Sequence, residues 1–341
     1  MTFVEGVALD IGWADAGRDL TELIFQTVRR ALDDAGREIG EVDSVVIAAH
    51  DLVDGRSLSS MVSAPAAGAY LKDEIRLGDD GAAAFSLAAA RLEAGEARCS
   101  IVAAWGRASE GNPDAIARAL FDPIVEGPFG LTELTVSGMR AQQWLARYGR
   151  NGVEADRAAA IERRHGAGSA HLKTPAPWPL RPEELPRWAD VAVAMIISDR
   201  VSPLRVAGIG HGSEPYSPGD RDLAGLPGLA LAVQRALPGG PATDELDIAE
   251  IDGLTLFDEA IAVEAAGLAA PGEGLRAMAT DVRINRSGGS AAGYCAPAMG
   301  LTRIAEAVLH LQERESPSWA LATGSSTVAA QTHTAVVLEA G

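Results

Sequence analysis

Two short stretches set the class of fold. Ser44-Val45-Val46-Ile47-Ala48-Ala49 and Ser100-Ile101-Val102-Ala103-Ala104-Trp105 are apolar on both alternate faces apart from the serine that opens each. Such a run reads as a strand covered on both sides, the hallmark of a layered α/β protein. A helix precedes each. Over residues 19–38, Leu20, Leu23, Ile24, Val28, Ala31 and Leu32 recur at helical spacing, with Arg29, Arg30, Asp33 and Asp34 largely opposite. Residues 81–96 form an alanine-rich helix before the second run.

The second half repeats this grammar. Residues 228–237 and 301–312 read as helices, and residues 247–254, 319–323 and 334–338 as strands or their approaches. No 20–50-residue period marks a solenoid, so the expectation is α/β with two similar halves from a distant duplication. Residues 108–187 read differently, with helices around 131–148 and 154–171 and then Pro175, Pro177, Pro179, Pro182 and Pro186. Prolines this dense end helices by removing donors and restricting the preceding residue. The expected organisation is an N-terminal half (1–107), an inserted helical segment (108–187) and a C-terminal half (188–341).

Charge and cysteine content narrow the function. The 341 residues carry a net charge of −18, the wrong sign for a nucleic-acid partner, which calls for a basic face. No apolar run approaches the roughly 18–20 residues that span a bilayer. The opening Met1-Thr2-Phe3-Val4-Glu5-Gly6 shows neither a basic n-region nor an apolar h-region, so the expected location is the cytoplasm. Only Cys99 and Cys295 occur, too few for a disulfide scaffold or a cysteine zinc site.

Familiar catalytic signatures are missing: there is no Walker loop, HExxH, GxSxG or GxGxxG. Gly208-Ile209-Gly210-His211-Gly212-Ser213 has the wrong spacing for a dinucleotide, and no two histidines stand four residues apart on a helix. Three other segments stand out. Arg163-Arg164-His165 is a basic knot in an acidic chain, readable as an anion site or as a solvated helix end. Leu77-Gly78-Asp79-Asp80-Gly81 precedes a helix, where Asp79 or Asp80 is either an N-cap or a group aimed into a cleft. The long loop at residues 285–300 contains Ser287-Gly288-Gly289-Ser290 and Gly293-Tyr294-Cys295-Ala296-Pro297, and a loop so rich in glycine points to close approach of a ligand or another backbone.

Taken in order, these features resemble the thiolase superfamily, in particular its sterol-carrier-type and non-decarboxylating branches. The likeness spans nearly the whole chain: Ala31-Leu32-Asp33-Asp34-Ala35-Gly36 at the end of the first helix, Gly81-Ala82-Ala83-Ala84 opening the helix behind the nucleophile, and Tyr148-Gly149 with Arg163-Arg164-His165 in the segment that covers the coenzyme A pantetheine. Ile284-Asn285-Arg286-Ser287-Gly288-Gly289 is the most specific match, to an Asn-Pro-x-Gly-Gly loop. The resemblance implies a five-layered αβαβα fold, usually dimeric, acting on acyl-CoA carbon–carbon bonds. It also implies a cysteine nucleophile, an activating histidine, an oxyanion hole and a second acid/base.

Those parts are altered here. The nucleophile position falls on Gly78, tyrosine (Tyr294) replaces the activating histidine, Phe257-Asp258-Glu259-Ala260 keeps only Asp258 of its motif, and the last motif reads Ala322-Thr323-Gly324-Ser325-Ser326 without cysteine. An acyl-cysteine mechanism therefore has no obvious nucleophile. Three readings follow. In the first, a β-hydroxyacyl-CoA is cleaved by retro-aldol chemistry with Tyr294 as acid/base and Asp79 or Asp80 as partner, Asp258 being a further candidate at the site; this resembles thiolase-like aldolases that work with a small OB-fold protein, often with a zinc ribbon. In the second, the chain is a catalytically silent subunit paired with an active thiolase-like homologue or an OB-fold protein; the resemblance also implies a homodimer or a heterodimer with a thiolase-like subunit. In the third, it is an acyltransferase using Cys295. Coenzyme A enters as a thioester substrate, held by Arg163, Arg164 and His165 and by the backbone at Gly288 and Gly289. No metal or redox cofactor is expected.

Overall fold

The computed structural model describes residues 1–13, 19–54, 60–149, 151–164, 174–238 and 240–341. The first half runs β1 (Phe3–Gly12), α1 (Leu20–Ala35), β2 (Ser44–Ala48), α2 (Asp51–Asp54), α3 (Ser60–Ala66), β3 (Asp73–Leu77), α4 (Gly81–Glu93) and β4 (Cys99–Arg107). Residues 108–187 then carry α5 (Pro113–Arg118), α6 (Glu133–Tyr148) and α7 (Val153–Arg164). The chain returns through β5 (Asp190–Ser198), β6 (Leu204–Ser213), α8 (Pro227–Ala236), β7 (Ile248–Glu250), α9 (Leu256–Ala265), α10 (Gly274–Thr280), α11 (Met299–Gln312), β8 (Ser318–Ser325) and β9 (Thr332–Ala340).

The strands are hydrogen-bonded in the order β3-β2-β4-β5-β1-β6-β9-β8-β7. Only two residue pairs, Phe3↔Arg205 and Val4↔Leu204, join β1 to β6, so the ladder bends there into two facing sheets. The two halves are similar in strand order: β2-β4-β5-β1 in one corresponds to β7-β8-β9-β6 in the other. In both, the outer pair is parallel and the inner pairs antiparallel. The partner of β3 shrinks to one bridge between Ala249 and Ile284.

Period-two alternation on the inner strands builds the layers. Val45, Ile47, Ile101, Ala103 and Trp105 pack on α1 and α3, whereas Val46, Val102, Ala104, Val193 and Met195 face α4 and α11. Across the middle, Ala320, Ala322, Val336 and Leu338 meet the same two helices, and Leu321, Ala335 and Val337 turn outward to α8 and α9. The result is the expected five-layered αβαβα fold.

Strand β7 is shorter than its sequence implies. Ile251 leaves the ladder because the Asn285 side chain takes both of its backbone groups, accepting from Ile251 N at 2.6 Å and donating to Ile251 O at 3.0 Å. That substitution of an amide side chain for a strand frees Asp252 and Gly253 to turn away from the sheet. Among the described residues, no helix is long and apolar enough to cross a membrane.

Candidate active site

A cleft of about 900 Å3, open solvent included, lies where the strand ends meet α5 and α6. One wall is apolar, from Pro113, Ile116, Ala117 and Leu120; the opposite wall is Asp252-Gly253-Leu254, Tyr294-Cys295-Ala296 and Ser325-Ser326. Glu133, Ser137 and Arg140 reach in from the first turns of α6. Apolar walls around a few converging polar groups are the usual make-up of a small-molecule site.

Tyr294 is set by a short parallel bridge to Trp188: its N–H donates to Arg187 O at 2.8 Å, and Ala189 N donates to Tyr294 O at 3.1 Å. Its ring meets Trp188 edge-on, centroids 5.8 Å apart. The residue lines the cleft, and its hydroxyl has no hydrogen-bond partner among the described residues. Burial, then the carboxylates of Asp252, Glu133, Asp80 and Asp258, hold the phenol well above its ordinary pKa. It is a proton donor at any neutral pH.

Two carboxyls that the sequence reading passed over share this cleft. Asp252, 4% exposed, accepts from Ser325 N at 3.1 Å, and burial raises its pKa to about 7 against the pull of Arg303. Glu133 accepts from the amides of Val328 and Ala329, the latter at 2.9 Å. Val328 and Ala329 are left-handed, with φ of 66° and 58°, so their consecutive N–H groups form a concave nest for a carboxylate. Burial nevertheless lifts Glu133 to about 7.

The residues singled out from sequence distribute unevenly. Tyr294, Asp258 and Cys295 line the cleft; Gly78, Asp79 and Asp80 do not. Asp258 is committed to the protein: Arg140 donates to it at 3.0 Å, Thr255 Oγ1 at 2.8 Å and Thr255 N at 3.1 Å, and the Ser137 hydroxyl also donates. It closes the capping box of α9 and anchors Arg140. Asp80 is buried and accepts from Ala82 N and Gly300 N, both at 2.8 Å, capping α4 and tying it to α11. Burial and the nearby Asp252 push Asp80 well above the usual carboxylate range. Asp79 accepts from Asp80 N at 2.7 Å and faces Thr332.

Cys295 is 2% exposed, and a Cβ on Gly106 would lie only 2.5 Å from its sulfur. Burial pushes the thiol up, which favours the neutral form over the nucleophilic thiolate. Cys99 is likewise buried at the start of β4, its thiol raised to about 11.

The basic knot is not a free anion site in its described part. Arg163 donates to the carbonyls of Met278, Asp281 and Ile284, and Arg164 pairs with buried Glu259 at 3.1 Å while donating to Ser290. His165 lies outside the described residues. Gly288 and Gly289, with φ of 99° and 60°, bring the loop onto Glu259: a Cβ on Gly289 would lie 2.5 Å from Glu259 Oε1. The close approach read from the glycines is to the protein's own carboxylate. Among the described residues no group of three or more His, Cys, Asp or Glu could hold a metal ion.

Comparison with known proteins finds relatives by shape alone. No family model matches the chain, and no curated protein matches it by sequence. Among solved structures, it is similar to the Ltp2-ChsH2(DUF35) aldolase at 19% identity and a TM-score of 0.76, covering 99% of this chain and 97% of that one. It is similar to a monomeric SCP2-thiolase-like protein type 1 from Mycobacterium smegmatis at 15% identity and a TM-score of 0.70, covering 99% and 77%. Human mitochondrial 3-ketoacyl-CoA thiolase matches at 16% identity and a TM-score of 0.70, covering 100% and 99%.

Proposed function

We propose that this chain, built on the fold of the thiolase superfamily, cleaves a carbon–carbon bond of a β-hydroxyacyl thioester by retro-aldol chemistry without a cysteine nucleophile. The observation that carries the reading is the Tyr294 phenol, protonated and unpartnered among the described residues, in a cleft it shares with Asp252. A carboxyl near pKa 7 and a phenol far above it divide the work of base and acid at neutral pH.

In this scheme the Asp252 carboxylate takes the proton of the β-hydroxyl, the Cα–Cβ bond breaks, and the hydroxyl carbon leaves as a carbonyl. The electron pair passes to Cα as a thioester enolate, which Tyr294 protonates. The proton held by Asp252 then restores the phenol, so nothing is consumed. Glu133 stands as a second carboxyl of similar pKa. Arg140, held by Asp258 at 3.0 Å and donating to Ala329 O at 2.6 Å, keeps positive charge beside the cleft.

The likeness to an aldolase named for two proteins, Ltp2 and ChsH2, supports a second chain in the working complex. The sequence-based choices of an OB-fold partner, of a homodimer and of a cytoplasmic location belong to this proposal. So does coenzyme A as the thioester carrier, with Arg163 engaged by the carbonyls of Met278, Asp281 and Ile284 and Arg164 by Glu259.

The testing experiment compares wild type with Tyr294→Phe on a β-hydroxyacyl-CoA. The variant is expected to bind the thioester and form no carbonyl product; turnover equal to wild type refutes the assignment. The alternative of a silent subunit draws on the exclusion of Gly78, the nucleophile position, from the cleft. It is supported if the purified complex turns over unchanged when Tyr294 and Asp252 are replaced together.

A further inference from the structure

The last strand pair holds a second constellation that the retro-aldol scheme does not use. Strands β8 and β9 pair antiparallel with Ser325 directly opposite His333, so both side chains emerge on one face. Ser325 Oγ lies 3.0 Å from His333 Nδ1. On the far side of the ring, His333 Nε2 is 3.6 Å from Glu214 Oε1. Glu214 directly follows β6 and is itself fixed by Gly228 N at 2.6 Å. His333 is 1% and Glu214 6% exposed, whereas Ser325 lines the cleft. His333 Nε2 makes no hydrogen bond within the usual limit, and Glu214 is the carboxylate closest to completing it.

We infer that Ser325, His333 and Glu214 form a nucleophilic relay that accepts an acyl group from a thioester in the same cleft, giving the chain a serine-based thioester-cleaving activity. Serine, histidine and an acid are recognised as such a unit by geometry and role, not by chain order. The site supplies each role. Burial keeps His333 below its ordinary pKa and thus a neutral base. Burial alone would raise Glu214, but the His333 side chain and the Gly228 amide outweigh it and hold Glu214 below its usual range, as the charged end of the relay. Tyr294, protonated in the same cleft with its hydroxyl unpartnered among the described residues, is the donor available for an oxyanion.

In the step itself, Ser325 Oγ bonds to the thioester carbonyl carbon while its proton passes to His333 Nδ1. The carbon–sulfur bond then breaks, and the thiol leaves with that proton. Water, activated by the same nitrogen, releases the acid and restores Ser325. This mechanism requires the His333 tautomer with its proton on Nε2, toward Glu214.

The substrate class rests on the thioester reading above, so the experiment has one arm that does not. Wild-type protein is treated with a fluorophosphonate, and its peptides are analysed by mass spectrometry. The expected result is an adduct on Ser325 that falls to background in a folded His333→Asn variant. No adduct, an adduct on Ser326 instead, or equal labelling in His333→Asn overturns the proposal. In the second arm, a saturated acyl-CoA, with no hydroxyl for a retro-aldol step, is expected to release free thiol, with the rate lost in Ser325→Ala. Thiol release unchanged in Ser325→Ala also overturns it. Failure of retro-aldol cleavage with labelling intact refutes only the earlier reading.

Discussion

Asp80 and Gly300 stand 220 positions apart in sequence, yet the Asp80 carboxylate accepts the Gly300 amide at 2.8 Å while its other oxygen caps α4 through Ala82. One buried side chain thereby joins the N-terminal ends of the two central helices, one from each half. The joint tolerates no bulk: a Cβ on Gly300 would lie 1.8 Å from Asp80 Oδ1, and one on Gly324 would lie 2.2 Å from it.

The first prediction concerns that joint. Gly300→Ala forces Asp80 out of its place and is expected to destabilise the protein by roughly 3 kcal/mol or more, the upper range for overpacking. Asp80→Ala leaves two buried amides without an acceptor, at about 1–3 kcal/mol each. Denaturant unfolding measures both, and a loss below about 0.5 kcal/mol in either contradicts the capping role.

The second concerns pH and turnover. A base must be ionised to act, and the Asp252 pKa stands near 7. Tyr294 stays protonated well beyond its ordinary value. The expected profile of kcat/KM therefore rises with pH up to about 7 and then levels. In Asp252→Asn the activity is expected to fall about 100-fold or more, in the range typical of a lost general base. A profile falling through neutrality reverses the assigned roles.

Stability gives a third test with its own sign. Glu306, on α11 beside Arg303 at 2.8 Å, is raised from 4.5 to about 7, chiefly by burial. A carboxyl whose folded pKa exceeds its unfolded value favours the folded state while protonated, and this contribution is lost as pH rises from about 4.5 to about 7. Glu306→Gln cannot ionise. Its melting temperature relative to wild type is therefore expected to climb across that window, as followed by circular dichroism at pH 5 and pH 8. An unchanged or falling difference contradicts the assignment.

Cys295 supplies the fourth. Its thiol is buried against Gly106 and held neutral. Cys295→Ala is expected to keep retro-aldol turnover within about threefold of wild type while costing about 1 kcal/mol of stability. Loss of turnover in a folded variant reinstates a thiol mechanism.

How far the fold could be read in advance follows from where its information lies. The apolar runs at Val45–Ala48 and Ile101–Trp105 are local signals, and they are buried strands as read. The Gly81 helix also stands where the alanine-rich run places it, with Asp80 as its cap. Cap and cleft were equal readings of that aspartate, because sequence cannot say which way a carboxylate turns. The role of Asp258 was more accessible: Thr255 three residues earlier makes a capping box, visible as Thr-x-x-Asp before an apolar helix.

Other features had no local signature. Arg163 and Arg164 read as a free basic knot, yet their partners are carbonyls and Glu259 about 90 to 120 residues away. Asp252 and Glu133 owe their raised pKa values to burial, which only the assembled layers create. Ser325 and His333 meet through strand register, so their pairing awaited the ladder.

The most direct test of the central claim is product analysis. The protein, purified with any chain that accompanies it, is given a β-hydroxyacyl-CoA, and both halves of the substrate are followed by mass spectrometry. The expected products are a carbonyl compound and, in equal amount, the shortened acyl group counted as acyl-CoA plus free acid, with no acyl adduct on Cys99 or Cys295. Intact carbon–carbon bonds after prolonged incubation, or products that appear only through an acyl-cysteine, contradict it.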